Sequence, residues 1–165
     1  MLRTPAPLIG GLERTTNLLV MEHEAAVFEA FFVEPQKARL RKLSEDPGSR
    51  PKLRSYLAHP KGLDPVTTTR IARGNQSHAQ ILELLRSEGA PEMAHLISEH
   101  SEWDEMNVPL DAALALVVGM GFGTIVSCIP GRLAYYEAED RNARFLLKKR
   151  APDSLVAPIL RQVKT

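Results

Sequence analysis

Apolar and polar residues repeat with one period in the first half of this chain and with another in the second, the change falling near residue 90. In LLVMEHEAAVFEAFFV, Val20, Met21, Val27, Phe28, Phe31 and Phe32 recur at helical spacing, with Glu22, Glu24 and Glu29 on the other face. Asn17 is placed to cap that helix. Pro35 suits the first turn of a second helix, PQKARLRKLSED, which Pro47-Gly48 stops. Ser49 can cap a third, RPKLRSYLAH, ended by His59-Pro60. Residues 60–76, with their prolines, glycines and threonine run, read as a long connection. Ser77 then caps a fourth helix, HAQILELLRSE, with Ile81, Leu82, Leu84 and Leu85 apolar and Gly89 closing it.

From Ala90 the segments shorten and turn β-like. MAHLISE (93–99) suits a buried strand, although His95, Ser98 and Glu99 dilute it. A polar stretch leads to Pro109 and a short apolar helix, PLDAALALVVGM, which Gly119, Gly121 and Gly123 break. GTIVSCI and RLAYYEAE flank Pro130-Gly131 as a hairpin, and ARFLLKK follows with the lysines of an edge strand. The pattern therefore predicts an α+β fold: a helical N-terminal layer of about four helices on a small mixed sheet, in the order β-α-β-β-β. Residues 1–16 read as a flexible leader, 17–150 as one domain (helical over 17–89, β-rich over 90–150), and 151–165 as a tail. Val126 and Cys128 lie on one face of the central strand, Ile125 and Ile129 on the other, so the sheet needs cover on both sides. The helices flanking strand 93–99 can cover one side and the N-terminal helices the other; failing that, a second copy would, giving a homodimer.

Composition changes this picture little. With 44% hydrophobic and 25% charged residues, the chain is of the folding kind. Its single cysteine leaves no intramolecular disulfide and no cysteine-based zinc knuckle, which fits a reducing compartment such as the cytoplasm. No apolar run is long enough for a membrane span, and the start is too broken by proline and glycine for a secretory signal. Net charge is only +1, which disfavours nucleic acid as a partner. The charge is unevenly spread, however. Residues 33–74 hold ten Lys and Arg against four acids, and residues 75–105 one Arg against seven acids. Blocks of opposite sign can neutralise each other within one fold.

Candidate chemistry follows from topology. If MAHLISE and GTIVSCI are parallel neighbours joined by the apolar helix, their C-terminal ends lie together beside that helix's N-terminus. The 99–107 loop would then meet the 128–132 turn, gathering Glu99, His100, Trp103, Asp104 and Asn107 with Cys128 and Arg132. Such a surface predicts a small binding or regulatory module for a protein or small-molecule partner. An alternative is a small hydrolase or transferase using Cys128 or His100, although no nucleophile motif surrounds the cysteine. His95 and His100 have opposite strand parity, so no metal site is expected, and no cofactor is implied. The glycines of GMGFG follow a helix and precede a strand, the reverse of a phosphate loop. A third reading takes the basic 33–74 helices as a DNA-binding helix-turn-helix with Arg50, Lys52 and Arg54 on the second helix.

Overall fold

A computed structural model describes residues 10–150 apart from 60, 141 and 142, with side chains from residue 18 onward. The predicted tail 151–165 and the first nine residues of the leader lie outside it. Five α-helices are present among the described residues: α1 (Gly10–Phe31), α2 (Gln36–Glu45), α3 (Arg50–Leu57), α4 (His78–Ser87) and α5 (Leu110–Val117). Six strands, β1 (Thr68–Arg70), β2 (Met93–Ser98), β3 (Asn107–Pro109), β4 (Thr124–Ile129), β5 (Leu133–Glu137) and β6 (Arg144–Lys148), form one sheet in the order β1-β6-β5-β4-β2-β3. The fold is α+β. No helix among the described residues is long and apolar enough to cross a membrane.

The helix-ending signals behave as their chemistry requires. Ser77 and Gln80 form a reciprocal capping box at the start of α4, and Gly89, at φ 94°, follows its end. Ser49 precedes α3, but its hydroxyl donates to Asp46 instead of capping the helix, and Asp46 organises the 47–49 turn. At the other end of α3, Leu57 O accepts from Tyr136 Oη at 2.5 Å and Ala58 O from Glu139 N at 2.9 Å. Asn17 is not a cap: α1 already begins at Gly10, and nothing in LERTT breaks a helix once it has started at the Gly-Gly pair.

The sheet departs from expectation in three ways. It is antiparallel throughout and six-stranded, because two three-residue strands, β1 and β3, escape any periodicity test. Strand β6 is not an edge, since β1, drawn from the supposed 60–76 connection, pairs along it from Thr68↔Leu147 to Arg70↔Phe145. And β2 runs antiparallel to β4, with His95↔Ser127 and Ser98↔Thr124 in register. The physical reason is β3. It reverses the chain before α5 begins, so the helical crossover joins β3 to β4, which run the same way on either side of β2.

Cover on both faces of the sheet comes from the chain's own helices. Val27, Phe28, Phe31, Leu40, Leu53 and Leu57 of α1–α3 pack on Ile97, Ile125, Ala134 and Tyr136. Ile81 and Leu85 of α4, with Leu110, Ala113, Leu114 and Val117 of α5, pack on Leu96, Val126, Cys128 and Tyr135. Pro130-Gly131 makes the predicted tight turn, closed by Arg132 N donating to Ile129 O at 3.0 Å. Gly131 has φ 68°, and a β-carbon there would also stand 3.0 Å from Ala26 O. Gly123 is required by proximity: a β-carbon on it would lie 2.0 Å from Leu57 O.

Candidate functional site

The largest assembly of buried polar side chains lies between the sheet and α1–α3. Strand alternation puts His95 of β2 and Ser127 of β4, register partners, on the same face as Ile97 and Ile125. Above them α1 brings down the consecutive pair His23 and Glu24, and α3 supplies Arg50 from its first turn and Arg54 one turn on. Asp104 enters from the 99–107 loop and Asn107 from β3. Glu24, Arg50, His95, Asp104 and Ser127 are all buried.

These groups form one connected network. Arg50 donates through Nη1 and Nη2 to Glu24 at 2.6 and 3.0 Å, and through Nε and Nη2 to Asp104 at 2.6 Å each. Arg54 Nε donates to Asp104 Oδ2 at 2.9 Å, and Ser98 N to Asp104 Oδ1 at 3.0 Å. His95 Nε2 lies 2.9 Å from Glu24 Oε1, while its Nδ1 faces the Asn107 carboxamide at 2.9 Å. The chain of contacts ends where His23, its ring 4.9 Å from that of His95, reaches Ser127 Oγ at 2.6 Å.

The electrostatics follow from burial opposed by these contacts. Burial by itself would raise the Glu24 carboxyl, but hydrogen bonds from His95 and Arg50 hold it below the ordinary range. Asp104 is held low in the same way, against its burial, by Arg50, the Ser98 amide and Arg54. Burial opposes the charge on Arg50, and its two carboxylate partners more than restore it. His23 is pushed down to about 4, chiefly by burial and then by neighbouring His95, so it is neutral at physiological pH. The Arg50 and Arg54 guanidiniums thus face the Glu24 and Asp104 carboxylates.

Beside this network is a cavity of about 370 Å³. Glu24, Arg50 and Arg54 form its polar side, Val20 and Met21 of α1 an apolar wall, and Ser44, Glu45, Pro47 and Glu105 complete the lining. Arg54 is the one arginine here with donors to spare. It spends only Nε on Asp104, and its Nη groups have no partner among the described residues. Hollows of about 800 and 680 Å³ flank β1. Four cations line the larger one, of which Lys37 and Lys148 pair with Glu29 and Glu88 while Lys149 and Arg150 are the others, and no buried ionic network lies beneath either hollow among the described residues.

The antiparallel pairing separates the residues that sequence reasoning placed together. Glu99 and the 99–107 loop stand at the β4 start, where Glu99 N donates to Gly123 O and Gly123 N to Glu99 Oε2. Cys128 and Arg132 lie toward the opposite end. Arg132 is exposed and lines a small hollow of about 260 Å³ with Lys148, Lys149 and Arg150. Cys128 is a core residue of the α4–α5 face, its thiol pushed up to about 12 by burial, which removes it as a nucleophile at neutral pH. His100 stacks on Trp103 at 4.3 Å with Phe122 edge-on to both, so this trio packs as an aromatic cluster. Asp104 and Asn107 do belong to a shared site, but their companions are Arg50 and Arg54. Of the three residues read as DNA contacts, Arg50 is buried and Arg54 half-buried, both bonded to Asp104, and Lys52 is exposed. The amides of Gly119 and Gly121 are also accounted for, both donating to Glu137.

His23, Glu24, His95 and Ser127 went unassigned from sequence. Their signal was present as polar residues interrupting apolar patterns: a histidine in mid-strand, a serine in TIVSCI, and a His-Glu pair on a helix that buries its flanks. Among the described residues, no group of three or more His, Cys, Asp or Glu is arranged to hold a metal ion. Comparison with protein-family models, with curated proteins and with solved structures gives no match.

Proposed function

We propose that the protein is a small cytoplasmic binding or regulatory module that receives a ligand or partner in the cavity between α1, the α2–α3 corner and the 99–107 loop. The observation that carries this reading is Arg54. It is fixed by Asp104 against a buried ionic network, lines the cavity, and its Nη groups have no partner among the described residues. Burying an ion network costs desolvation, and well-packed apolar side chains of similar volume often match or exceed it in stability. Its return here is rigid placement of charged groups at a cavity wall. The lone buried cysteine suits a reducing compartment. Fragment screening by amide chemical shifts tests the reading: hits should move the Arg54 and Glu105 signals and disappear in Met21→Trp, which fills the cavity. Hits that map elsewhere, or survive that substitution unchanged, refute it.

A second reading rests on the 2.6 Å contact between His23 Nε2 and Ser127 Oγ. A serine paired with a neutral histidine is the start of a nucleophile for a small hydrolase or transferase. Ser127 is fully buried, so this reading requires the α1–sheet contact to open. Labelling of Ser127 by a fluorophosphonate in native buffer would support it, and an unlabelled serine at long exposure rejects it.

A further inference from the structure

We infer that the hollow between the β4–β5 turn and the end of β6 binds a phosphate group, as the free ion or as a small phosphate monoester. This site is separate from the cavity beside α1, and it does not rest on the reading of that cavity. Strand register is the starting point. Leu133 of β5 pairs with Lys148 of β6, and one step further out Lys149 N donates to Arg132 O at 2.9 Å. Arg132 and Lys149 are therefore directly opposed, about 5.5 Å apart at Cα, with their side chains on one face. Like charges so placed repel and weaken the ladder that carries them. Neither side chain has a partner among the described residues, and that of Arg150, next along the chain, has none either. All three line the same hollow of about 260 Å³.

The rest of the lining leaves that charge uncompensated. Glu88 is its single carboxylate and is already paired with Lys148, and Ile129 and Leu133 are apolar. The whole chain has a net charge of only +1, so this excess of cations is a local arrangement. An anion held between Arg132 and Lys149 turns their repulsion into attraction to a shared centre. Arg132 offers the planar fork that takes two oxygens of a phosphate, and Lys149 a point charge for a third. A phosphate group carries about −1.5 to −2 at neutral pH, which matches the opposed pair. A lone carboxylate answers only one of its two charges.

The test is titration of the full chain with inorganic phosphate, phenyl phosphate and acetate, at constant ionic strength in a buffer free of phosphate and sulfate. Amide chemical shifts give the site and the affinity. The Arg132, Lys149 and Arg150 signals should move saturably with millimolar phosphate and stay still with acetate. Tighter binding of phenyl phosphate assigns the site to a monoester, and equal or weaker binding assigns it to the free ion; both support the inference. Arg132→Gln and Lys149→Gln should each weaken binding about tenfold, the loss of one charge-assisted contact. Lys149→Glu should abolish binding and, without phosphate, raise the melting temperature, because it converts an opposed like pair into an ion pair. Circular dichroism confirms that these variants at exposed positions fold. The inference is overturned by the absence of a saturable shift, by acetate binding as well as phosphate, or by a Lys149→Glu variant no more stable than wild type.

Discussion

Replacing Arg50 by methionine removes four hydrogen bonds at once and keeps most of the side-chain volume. Glu24 would retain only its contact with His95, and Asp104 only those with the Ser98 amide and Arg54. Both carboxylates stay buried, so the loss is that of stranding charge in the interior, about 3–5 kcal/mol. That is a large part of the roughly 5–15 kcal/mol that holds a domain folded. In urea, with a slope of about 2 kcal/mol per M, the midpoint should fall by about 1.5–2.5 M. Adding Glu24→Gln and Asp104→Asn to Arg50→Met leaves no unpaired charge and should restore part of the loss. Acid should narrow the gap as well. In the wild type the depressed carboxyls contribute stability above their unfolded values near 4, lost as pH falls through the folded ones, whereas the stranded carboxyls of Arg50→Met are relieved by protonation. A midpoint shift below about 0.5 M for Arg50→Met, on that same slope, would refute the claim that the network is structurally coupled. So would a triple variant no more stable than the single one.

Three other outcomes follow from the same packing. His23 has a folded value near 4 against 6.5, so the unfolded chain binds the extra proton between them and stability should rise with pH across that window and level off above it. The full shift would correspond to about 3 kcal/mol, and the partly exposed ring reduces that to roughly half; His23→Asn should flatten the slope in pH-dependent melts, and an unchanged slope would contradict the assignment. Gly123→Ala should cost more than about 3 kcal/mol, because its β-carbon would be driven onto the Leu57 carbonyl and neither strand nor helix end can yield; a melting temperature within a few degrees of wild type counts against that contact. Cys128 should resist a disulfide reagent in native buffer and react promptly in denaturant, whereas equal rates would place the thiol at the surface.

Most of the architecture was readable because it is carried by repeating patterns. The apolar stripes of α1 and α4, the Ser77 cap, the Pro130-Gly131 turn and the two-faced apolar character of β4 each have a local cause; the exceptions within them are Glu24, read on the polar face of α1 but buried, and Ile129, which beyond a register shift in β4 packs on the Val126 and Cys128 side. The failures share another cause. Strands β1 and β3 have three residues each, too few to show a period, and β3 alone decides which way the chain enters α5. Missing Asn107–Pro109 therefore inverted β2 relative to β4 and moved Cys128 and Arg132 away from the 99–107 loop. Two of the candidate site's seven residues, Asp104 and Asn107, still meet in one polar network, since they depend on the loop and not on the inverted pairing. Arg50 and Arg54 were read as DNA contacts because a helix of eight residues carries no mark of which face meets a carboxylate fifty residues away. The neutralisation of one charge block by the other was legible; the pairs that achieve it were not.

The carbonyls at the end of α3 set an order of events during synthesis. An eight-residue helix is too short to persist in water unaided. The groups that receive its last carbonyls are the Tyr136 hydroxyl, 79 residues further along, and the Glu139 amide. A nascent chain can bury the α1 phenylalanines early, but it cannot complete α3 before the β4–β5 hairpin leaves the ribosome. Until then Arg50 and Arg54 have no fixed frame, so the cavity belongs to the finished chain alone.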